Sequence, residues 1–215
     1  MDIDRQKQLA AQAAAQLVQD GMTVGLGTGS TVAYLLPALA SRRLTIRCVA
    51  TSVATARRAS ELGLRVDPVD ELDLLDIAID GADQVTADGW LIKGGGGAHT
   101  REKVVAASAT RFVVIADSTK PVDVLKPPVP VELLSFGLPA TLRHLGQVTV
   151  RDGAPPSPDG GVIADYRGPV DDPATLAAWL SATPGVTGHG LFEPSITSDI
   201  LIGHDDSVEH RVLPS

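Results

Sequence analysis

The strongest constraint on the fold is the regular alternation of short apolar segments with segments of helical periodicity along the first half of the chain. The apolar segments lie at 22–27, 44–50, 75–80 and 112–116, and the helical ones at 4–20, 31–43, 53–62 and 101–109. Strands that alternate with helices pair mostly in parallel, and helices cover both faces of the sheet. The pattern predicts an α/β domain with a mostly parallel, Rossmann-like sheet.

The pattern changes where prolines gather at positions 127, 128 and 130. Six segments follow in the order strand, helix, strand, strand, helix, strand, at 129–134, 139–145, 148–151, 162–166, 173–180 and 186–192. This βαββαβ order is typical of a ferredoxin-like α+β domain, which we expect as an insertion over residues 127–198. Two further strands, 199–203 and 208–213, should return to the main sheet, so the α/β domain would comprise residues 1–126 and 199–215.

Composition excludes several classes of function. The net charge is -8 and the arginines are scattered, so no basic stripe is available for a nucleic-acid backbone. No apolar run approaches the roughly 18 to 20 residues of a membrane span, and the N-terminus lacks the signal-peptide pattern. We therefore expect a cytoplasmic protein with neither nucleic acid nor membrane as a partner. The one cysteine, Cys48, lies in an apolar stretch and should be a buried core thiol.

A glycine-rich turn, GLGTGST at 25–31, follows a predicted strand and opens a predicted helix, with Ser30 or Thr31 as its N-cap. Backbone amides and hydroxyls in such a turn, together with the helix dipole, can hold a phosphate, although the turn could also be purely structural. A dinucleotide site fits less well. Ser30 replaces the last glycine of G-x-G-x-x-G, and no acid ends the next strand.

An acidic segment, Asp80-Gly81-Ala82-Asp83, comes directly after another predicted strand. Two carboxylates at the carboxyl end of a strand suit sugar hydroxyls, proton transfer or a divalent metal. They could equally cap backbone amides in a turn. The five histidines show no metal-binding spacing, so we expect no metal.

A lysine and four successive glycines, Lys93 and 94–97, precede a predicted helix that carries Thr100 and Glu102. Four glycines in a row cost conformational entropy, which suggests that another group approaches this backbone closely. Glu102 could act as a base. It could also only favour the helix dipole, with Thr100 as the cap. Lys120, after the strand at 112–116, could reach a phosphate or remain solvated.

Taken in order, five segments resemble the motif set of the type A ribose-5-phosphate isomerase family, and the resemblance covers nearly the whole chain. They are 25–31, 80–83, 93–103, 117–120 and 129–132. The resemblance extends to 184–186 and 190–192. It implies reversible conversion of ribose 5-phosphate to ribulose 5-phosphate through an enediolate, in the non-oxidative pentose phosphate pathway. It also implies that no cofactor or metal is used and that the protein is a homodimer or tetramer.

The same resemblance implies the roles of individual residues. Glu102 would be the proton-transferring base, while Lys93 and the pair Asp80 and Asp83 would handle the sugar oxygens. The substrate-binding set that it implies is Thr28, Gly29, Ser30, Thr31, Asp80, Gly81, Ala82, Asp83, Lys93, Gly94, Gly95, Gly96 and Lys120.

Two positions depart from the family pattern. Gln84 stands where a glutamate is usual, and His99 occupies a position that is more often small or aliphatic. Two other classes of function remain open. A non-catalytic sugar-phosphate sensor of the kind fused to bacterial repressors would not need Lys93 and Glu102 together, and no DNA-binding pattern precedes residue 22. A nucleotide-dependent oxidoreductase is disfavoured by the glycine turn, as described above.

Overall fold

The computed structural model describes residues 1–71 and 74–214. Residues 72, 73 and 215, which fall within the predicted α/β domain, lie outside this description. The chain forms two compact units. The first comprises Met1–Ala82, Arg101–Lys120 and Pro194–Ser215, and the second comprises Asp83–Thr100 and Pro121–Glu193. The domain boundaries at 127 and 198 stay a prediction; the second unit also includes residues 83–100 and 121–126 and ends at Glu193.

The helices, in chain order, are α1 (Ile3–Leu17), α2 (Ser30–Ser41), α3 (Val53–Glu61), α4 (His99–Ala107), α5 (Leu138–Leu145) and α6 (Pro173–Ala182). The strands are β1 (Thr23–Leu26), β2 (Arg47–Ala50), β3 (Arg65–Val66), β4 (Ile77–Gly81), β5 (Gln84–Val85), β6 (Leu91–Ile92), β7 (Phe112–Asp117), β8 (Val129–Leu133), β9 (Val148–Val150), β10 (Val162–Tyr166), β11 (Val186–His189), β12 (Leu191–Phe192), β13 (Asp199–Gly203) and β14 (Val208–Val212). Two 3-10 turns lie at Val69–Glu71 and Pro194–Ile196. Over residues 1–71 and 74–214, no helix combines the length and the apolar character needed to cross a membrane.

The first unit is built on a seven-stranded sheet in the order β14-β13-β7-β4-β1-β2-β3. All neighbours pair in parallel except β13 and β14, which form an antiparallel hairpin. Alternate residues of a strand point to opposite faces. Val24 and Leu26 of β1 join the buried cluster that α1 and α2 contribute to, while Gly25 faces Val105 of α4. Helices therefore cover both faces, and the predicted α/β class and the return of the last two strands are confirmed.

The sheet of the first unit also holds the single thiol. Cys48 of β2 is completely buried in the cluster beneath α1 and α2. Burial, with a smaller contribution from Asp67, raises the pKa of Cys48 to about 12. A thiol that stays protonated is a poor nucleophile, so the prediction of a core cysteine is confirmed.

The second unit contains a four-stranded antiparallel sheet in the order β11-β8-β10-β9. With α5 after β8 and α6 after β10, this is the predicted ferredoxin-like arrangement. A smaller sheet has the order β12-β6-β5. The segment 186–192, predicted as one strand, is divided between the two sheets. At the break, the Gly190 N–H donates to the Pro130 carbonyl at 2.7 Å, and the Gly190 carbonyl accepts from the Lys93 N–H at 2.8 Å.

The parallel strands of the first unit bring several loops to one edge of the sheet. The carboxyl ends of parallel strands share an edge, which is where ligands bind in open α/β sheets. The segments that follow β1, β2 and β7 at this edge are 27–31, 51–52 and 118–120, and Ala82 follows β4.

Candidate active site

Asp80 lies near the carboxyl end of β4 and is only 3% exposed. Its Oδ1 accepts the N–H of Thr28 at 3.1 Å and the N–H of Gly81 at 2.7 Å. The preceding glycine of the turn makes this possible, because a Cβ on Gly27 would lie 1.9 Å from the carboxylate of Asp80. The glycine turn and Asp80 therefore form one packed arrangement in the first unit, as their shared edge predicts.

The turn leaves the N-terminus of α2 without a side-chain cap. Gly29, with a φ of 127°, is the N-cap, so the prediction of Ser30 or Thr31 at that position is wrong. Ser30 is exposed and Thr31 is buried in the first helical turn. The Thr28 hydroxyl is held by the hydroxyl of Thr51 at 2.7 Å. Uncapped N–H groups at the positive end of a helix favour an anion.

A tight turn after β7 carries Lys120. The Asp117 carboxylate accepts the N–H of Thr119 at 3.0 Å and also its hydroxyl, and the Lys120 N–H donates to the Asp117 carbonyl at 3.1 Å. The half-buried Lys120 thus follows a fixed turn at the carboxyl edge of the sheet. A cation in this position suits a phosphate.

Glu102 lies in the first turn of α4 and is 4% exposed. The helix begins at His99, so Thr100 is a helical residue and not the cap. The Thr100 hydroxyl donates instead to the carboxylate of Glu132. A solvated acid that merely favours the helix dipole would be exposed. The burial of Glu102 therefore favours a chemical role.

Lys93 follows β6 in the second unit and is only 2% exposed. Its Nζ lies 5.4 Å from the ring centroid of Phe192, within the range of a cation–π contact. Lysine side chains are mostly exposed, so the burial of this one calls for a local reason. A buried lysine beside a glycine run is a candidate for stabilising negative charge on a ligand.

The glycine run after Lys93 is shaped by contacts with His99 and Asp83 and by one hydrogen bond within the run. Gly94 has a φ of 107°, and a Cβ there would lie 2.7 Å from Nδ1 of His99, whose ring is completely buried. The Gly97 N–H donates to the Gly94 carbonyl at 3.0 Å. The Gly95 N–H donates to Oδ2 of Asp83 at 2.9 Å. The second unit therefore brings Asp83 and the glycine run together.

Comparison with known proteins decides the family. The family model described as ribose 5-phosphate isomerase A (phosphoriboisomerase A) matches residues 47–207, well over half of the chain. The chain belongs to this family. The ribose-5-phosphate isomerase A of Halobacterium salinarum is 45% identical over 219 residues, covering 96% of this chain and 95% of the relative. That of Caulobacter sp. strain K31 is 44% identical, covering 97% and 98%.

Solved structures of the ribose 5-phosphate isomerase A family have the same fold. The Neisseria gonorrhoeae isomerase superposes with a TM-score of 0.94 at 31% identity, covering 100% of this chain and 99% of the other. A D-ribose-5-phosphate isomerase solved in complex with phospho-erythronic acid gives a TM-score of 0.93 at 32% identity, covering 99% and 100%. A second family model, a DeoR C-terminal sensor domain, matches residues 3–66. That span includes the glycine turn but neither Lys93 nor Glu102.

The residues that the isomerase resemblance implied fall into two groups. The first unit contains Thr28, Gly29, Ser30, Thr31, Asp80, Gly81, Ala82, Glu102 and Lys120, and the second contains Asp83, Lys93, Gly94, Gly95 and Gly96. Asp80 and Asp83, predicted as one acidic pair, thus belong to different units. In the described part of the chain, no three His, Cys, Asp or Glu side chains are grouped to hold a metal ion.

Sequence reasoning on this isomerase missed one residue that contacts the glycine run. Arg151, which follows β9, donates to the carbonyl of Gly95 at 2.9 Å. A single arginine at the end of a predicted strand carries no signal of its own. Its partner in the glycine run is 56 residues away along the chain, so only the fold reveals the contact.

Proposed function

We propose that this chain interconverts ribose 5-phosphate and ribulose 5-phosphate through an enediolate, a step of the non-oxidative pentose phosphate pathway. The observation that carries the proposal is the burial of both Glu102 and Lys93 in a member of this isomerase family. A base and a cation that served only solubility would be exposed. Catalysis of proton transfer next to a developing negative oxygen can use a carboxylate as the base and an ammonium as the stabilising charge.

In the proposed reaction, Glu102 removes the proton from C2 of the open-chain aldose. The electron pair of the broken C–H bond forms the C1–C2 double bond, and the carbonyl pair moves onto O1. A proton then passes from O2 to O1, and Glu102 returns its proton to C1, which leaves the ketone at C2. General base catalysis of this kind contributes about a hundred- to ten-thousand-fold in rate.

The enediolate intermediate needs positive groups near its oxygens. We assign this role to Lys93 and to the N–H groups of the glycine run at Gly94, Gly95 and Gly96. Loss of one such donor typically costs about 3 kcal/mol of transition-state stabilisation. Asp80 and Asp83 assist ring opening and the proton transfer between oxygens. Asp80 is well suited to this role because two backbone N–H groups hold its carboxylate in place.

The phosphate anchors the substrate in this proposal. The uncapped N-terminus of α2 supplies amides, and the hydroxyls of Thr28, Ser30 and Thr31 and the ammonium of Lys120 complete the phosphate contacts. Gly29, Gly81 and Ala82 contribute backbone to the substrate site. Anchoring a remote phosphate keeps the reacting carbon near the base, which lowers the entropic part of the barrier.

The direct test is incubation of the purified protein with ribose 5-phosphate, with and without a chelator, followed by detection of the ketose. We expect ribulose 5-phosphate to form at the same rate in both samples, because no metal and no cofactor take part in the proposed steps. Binding of ribose 5-phosphate without turnover would support the sensor function that the match over residues 3–66 suggests. A rate that falls with the chelator would contradict the metal-free mechanism.

We also propose that the protein is a cytoplasmic homodimer or homotetramer with no nucleic-acid partner. The net charge of -8 and the scattered arginines support the absence of a nucleic-acid partner. The exposed apolar side chains of Phe136 and Leu134 on the second unit support self-association.

A further inference from the structure

The side chain of Arg151 contacts the backbone of the glycine run and takes no part in the mechanism described above. Its Nη1 donates to the carbonyl of Gly95 at 2.9 Å and lies 3.4 Å from the carbonyl of Gly94. All three residues belong to the second unit. One guanidinium nitrogen therefore faces two successive peptide groups of the run to which we assign oxyanion contacts.

The guanidinium of Arg151 is itself held in one orientation. Nη2 donates to Oδ1 of Asp165 at 2.6 Å, and Nε donates to Oδ2 of Asp165 at 3.2 Å. Asp165 is buried on β10, next to β9 in the sheet. A two-pronged pair of this kind fixes the plane of the guanidinium, which a lysine ammonium cannot do. The fixed plane aims Nη1 at the glycine run.

The geometry of the peptide unit extends this contact to Asp83. In a trans peptide the C=O and N–H bonds point in opposite directions. The Gly94 carbonyl faces Arg151, and the Gly95 N–H of the same peptide donates to Asp83 at 2.9 Å. Because the Gly95 carbonyl also points at Arg151, the Gly96 N–H of the same peptide is turned away from the guanidinium.

We propose that Arg151 is a positioning residue for the isomerisation. It sets the direction of the 94–95 and 95–96 peptides, and thereby aims the Gly96 N–H at the substrate oxygens and holds the carboxylate of Asp83 in place. Glycine peptides flip more readily than others because no side chain restrains them, so the run needs an external anchor. The inference rests on the proposed function, because it assigns a purpose to N–H groups that would bind the enediolate.

The test uses Arg151→Met and Arg151→Lys, with Arg167→Met as the matched control. Arg167 is an exposed arginine in the same unit, directly after β10. We expect Arg151→Met to lower kcat about a hundredfold, the effect of displacing a reacting group by about 1 Å, with a much smaller change in KM. Arg151→Lys should recover part of kcat, and Arg167→Met should match the wild type.

A second readout separates positioning from a structural role. Phospho-erythronic acid, the ligand of one solved relative, carries a carboxylate whose charge resembles that of an enediolate. The Kd for this ligand should rise in both Arg151 variants, and it should rise more in Arg151→Met, which loses more of kcat, than in Arg151→Lys. Thermal unfolding midpoints show whether each variant is folded.

Two results would have different meanings. If the Arg151 variants unfold at lower temperature but keep the wild-type kcat per active molecule and the wild-type Kd, Arg151 is structural and the inference is wrong. If the wild type itself does not turn over ribose 5-phosphate, the proposed function fails, and the Kd comparison still tests whether Arg151 shapes the anion site.

Discussion

At the scale of single residues, the two departures from the family pattern have local explanations. The side chain of Gln84 pairs in both directions with the backbone of Lys126: Nε2 donates to its carbonyl at 2.8 Å, and Oε1 accepts its N–H at 2.8 Å. A carboxylate cannot donate, so the glutamate usual here could make only one of these bonds. His99 packs its buried ring against Gly94, and the ring leaves no room for a side chain at position 94.

Replacing Gln84 by glutamate tests the first of these explanations. Gln84→Glu removes the donor and sets a carboxylate against the Lys126 carbonyl, so we expect a loss of about 1 kcal/mol in the free energy of unfolding. Urea denaturation at pH 7 measures it. Gln12→Glu, at an exposed position of α1, is the control and should be nearly neutral. Equal midpoints for the Gln84 variant and the wild type would show that the two-way pairing contributes nothing.

At the scale of elements, a charged cluster holds the edge strand β14 to its neighbours. Asp199 of β13 accepts two hydrogen bonds from Arg111, at 2.7 and 2.8 Å, and one from Nε2 of His210 on β14, at 2.6 Å. Burial by itself would raise the pKa of Asp199. The hydrogen bonds from Arg111 and His210 outweigh burial and hold that pKa below its ordinary value. The cluster therefore stabilises the fold while Asp199 is ionised.

The pH dependence of this contribution follows from the lowered pKa. A carboxyl whose pKa is lower in the folded state stabilises above its unfolded pKa, about 4, and loses that contribution as the pH falls through the folded value. We expect Asp199→Asn to lower the free energy of unfolding by about 2 kcal/mol at pH 7. When the pH falls from 5 to 3, the stability of the variant should decrease less than that of the wild type. Thermal unfolding midpoints at the three pH values test this, with the exposed Asp206→Asn as control. Parallel pH profiles for wild type and Asp199→Asn would contradict it.

The sequence pattern predicts most long elements and misses those that depend on distant partners. The alternation of apolar and helical segments locates every helix to within three residues at its N-terminal end, because the pattern is local. The two-residue strands β3, β5 and β6 exist only through pairing and carry no pattern. For the same reason, the motifs point to Asp80 and Glu102, but Arg151 and the break at Gly190 depend on contacts that only the fold creates.

At the scale of the whole molecule, apolar surface gathers on the second unit. Phe136 is 90% exposed and Leu134 is 47% exposed. Together with Gly137, Ala140 and Pro184 they line an open cavity of about 390 Å³ with little polar surface. Exposed apolar patches of this kind favour association with another protein surface. A second copy of the chain is the partner that the family resemblance implies.

The assembly can be measured directly by light scattering coupled to size exclusion. We expect the wild type to have at least twice the 22.3 kDa mass of one chain. Phe136→Ser should shift the population toward monomer, because burial of one phenylalanine contributes about 2 kcal/mol to association. Val212→Ser, at an exposed apolar position in the first unit, is the control. A monomeric wild type would contradict self-association, and an unchanged Phe136→Ser oligomer would place the interface elsewhere.

The most direct test of the mechanism is the fate of the substrate's C2 hydrogen in the Glu102→Gln variant, followed by NMR in heavy water. Glutamine preserves the shape of the side chain but cannot accept the proton. We predict that the wild type converts ribose 5-phosphate and introduces deuterium, whereas Glu102→Gln binds phospho-erythronic acid normally but loses at least a hundredfold in turnover and in deuterium incorporation. Ordinary turnover and exchange in Glu102→Gln would show that another group moves the proton.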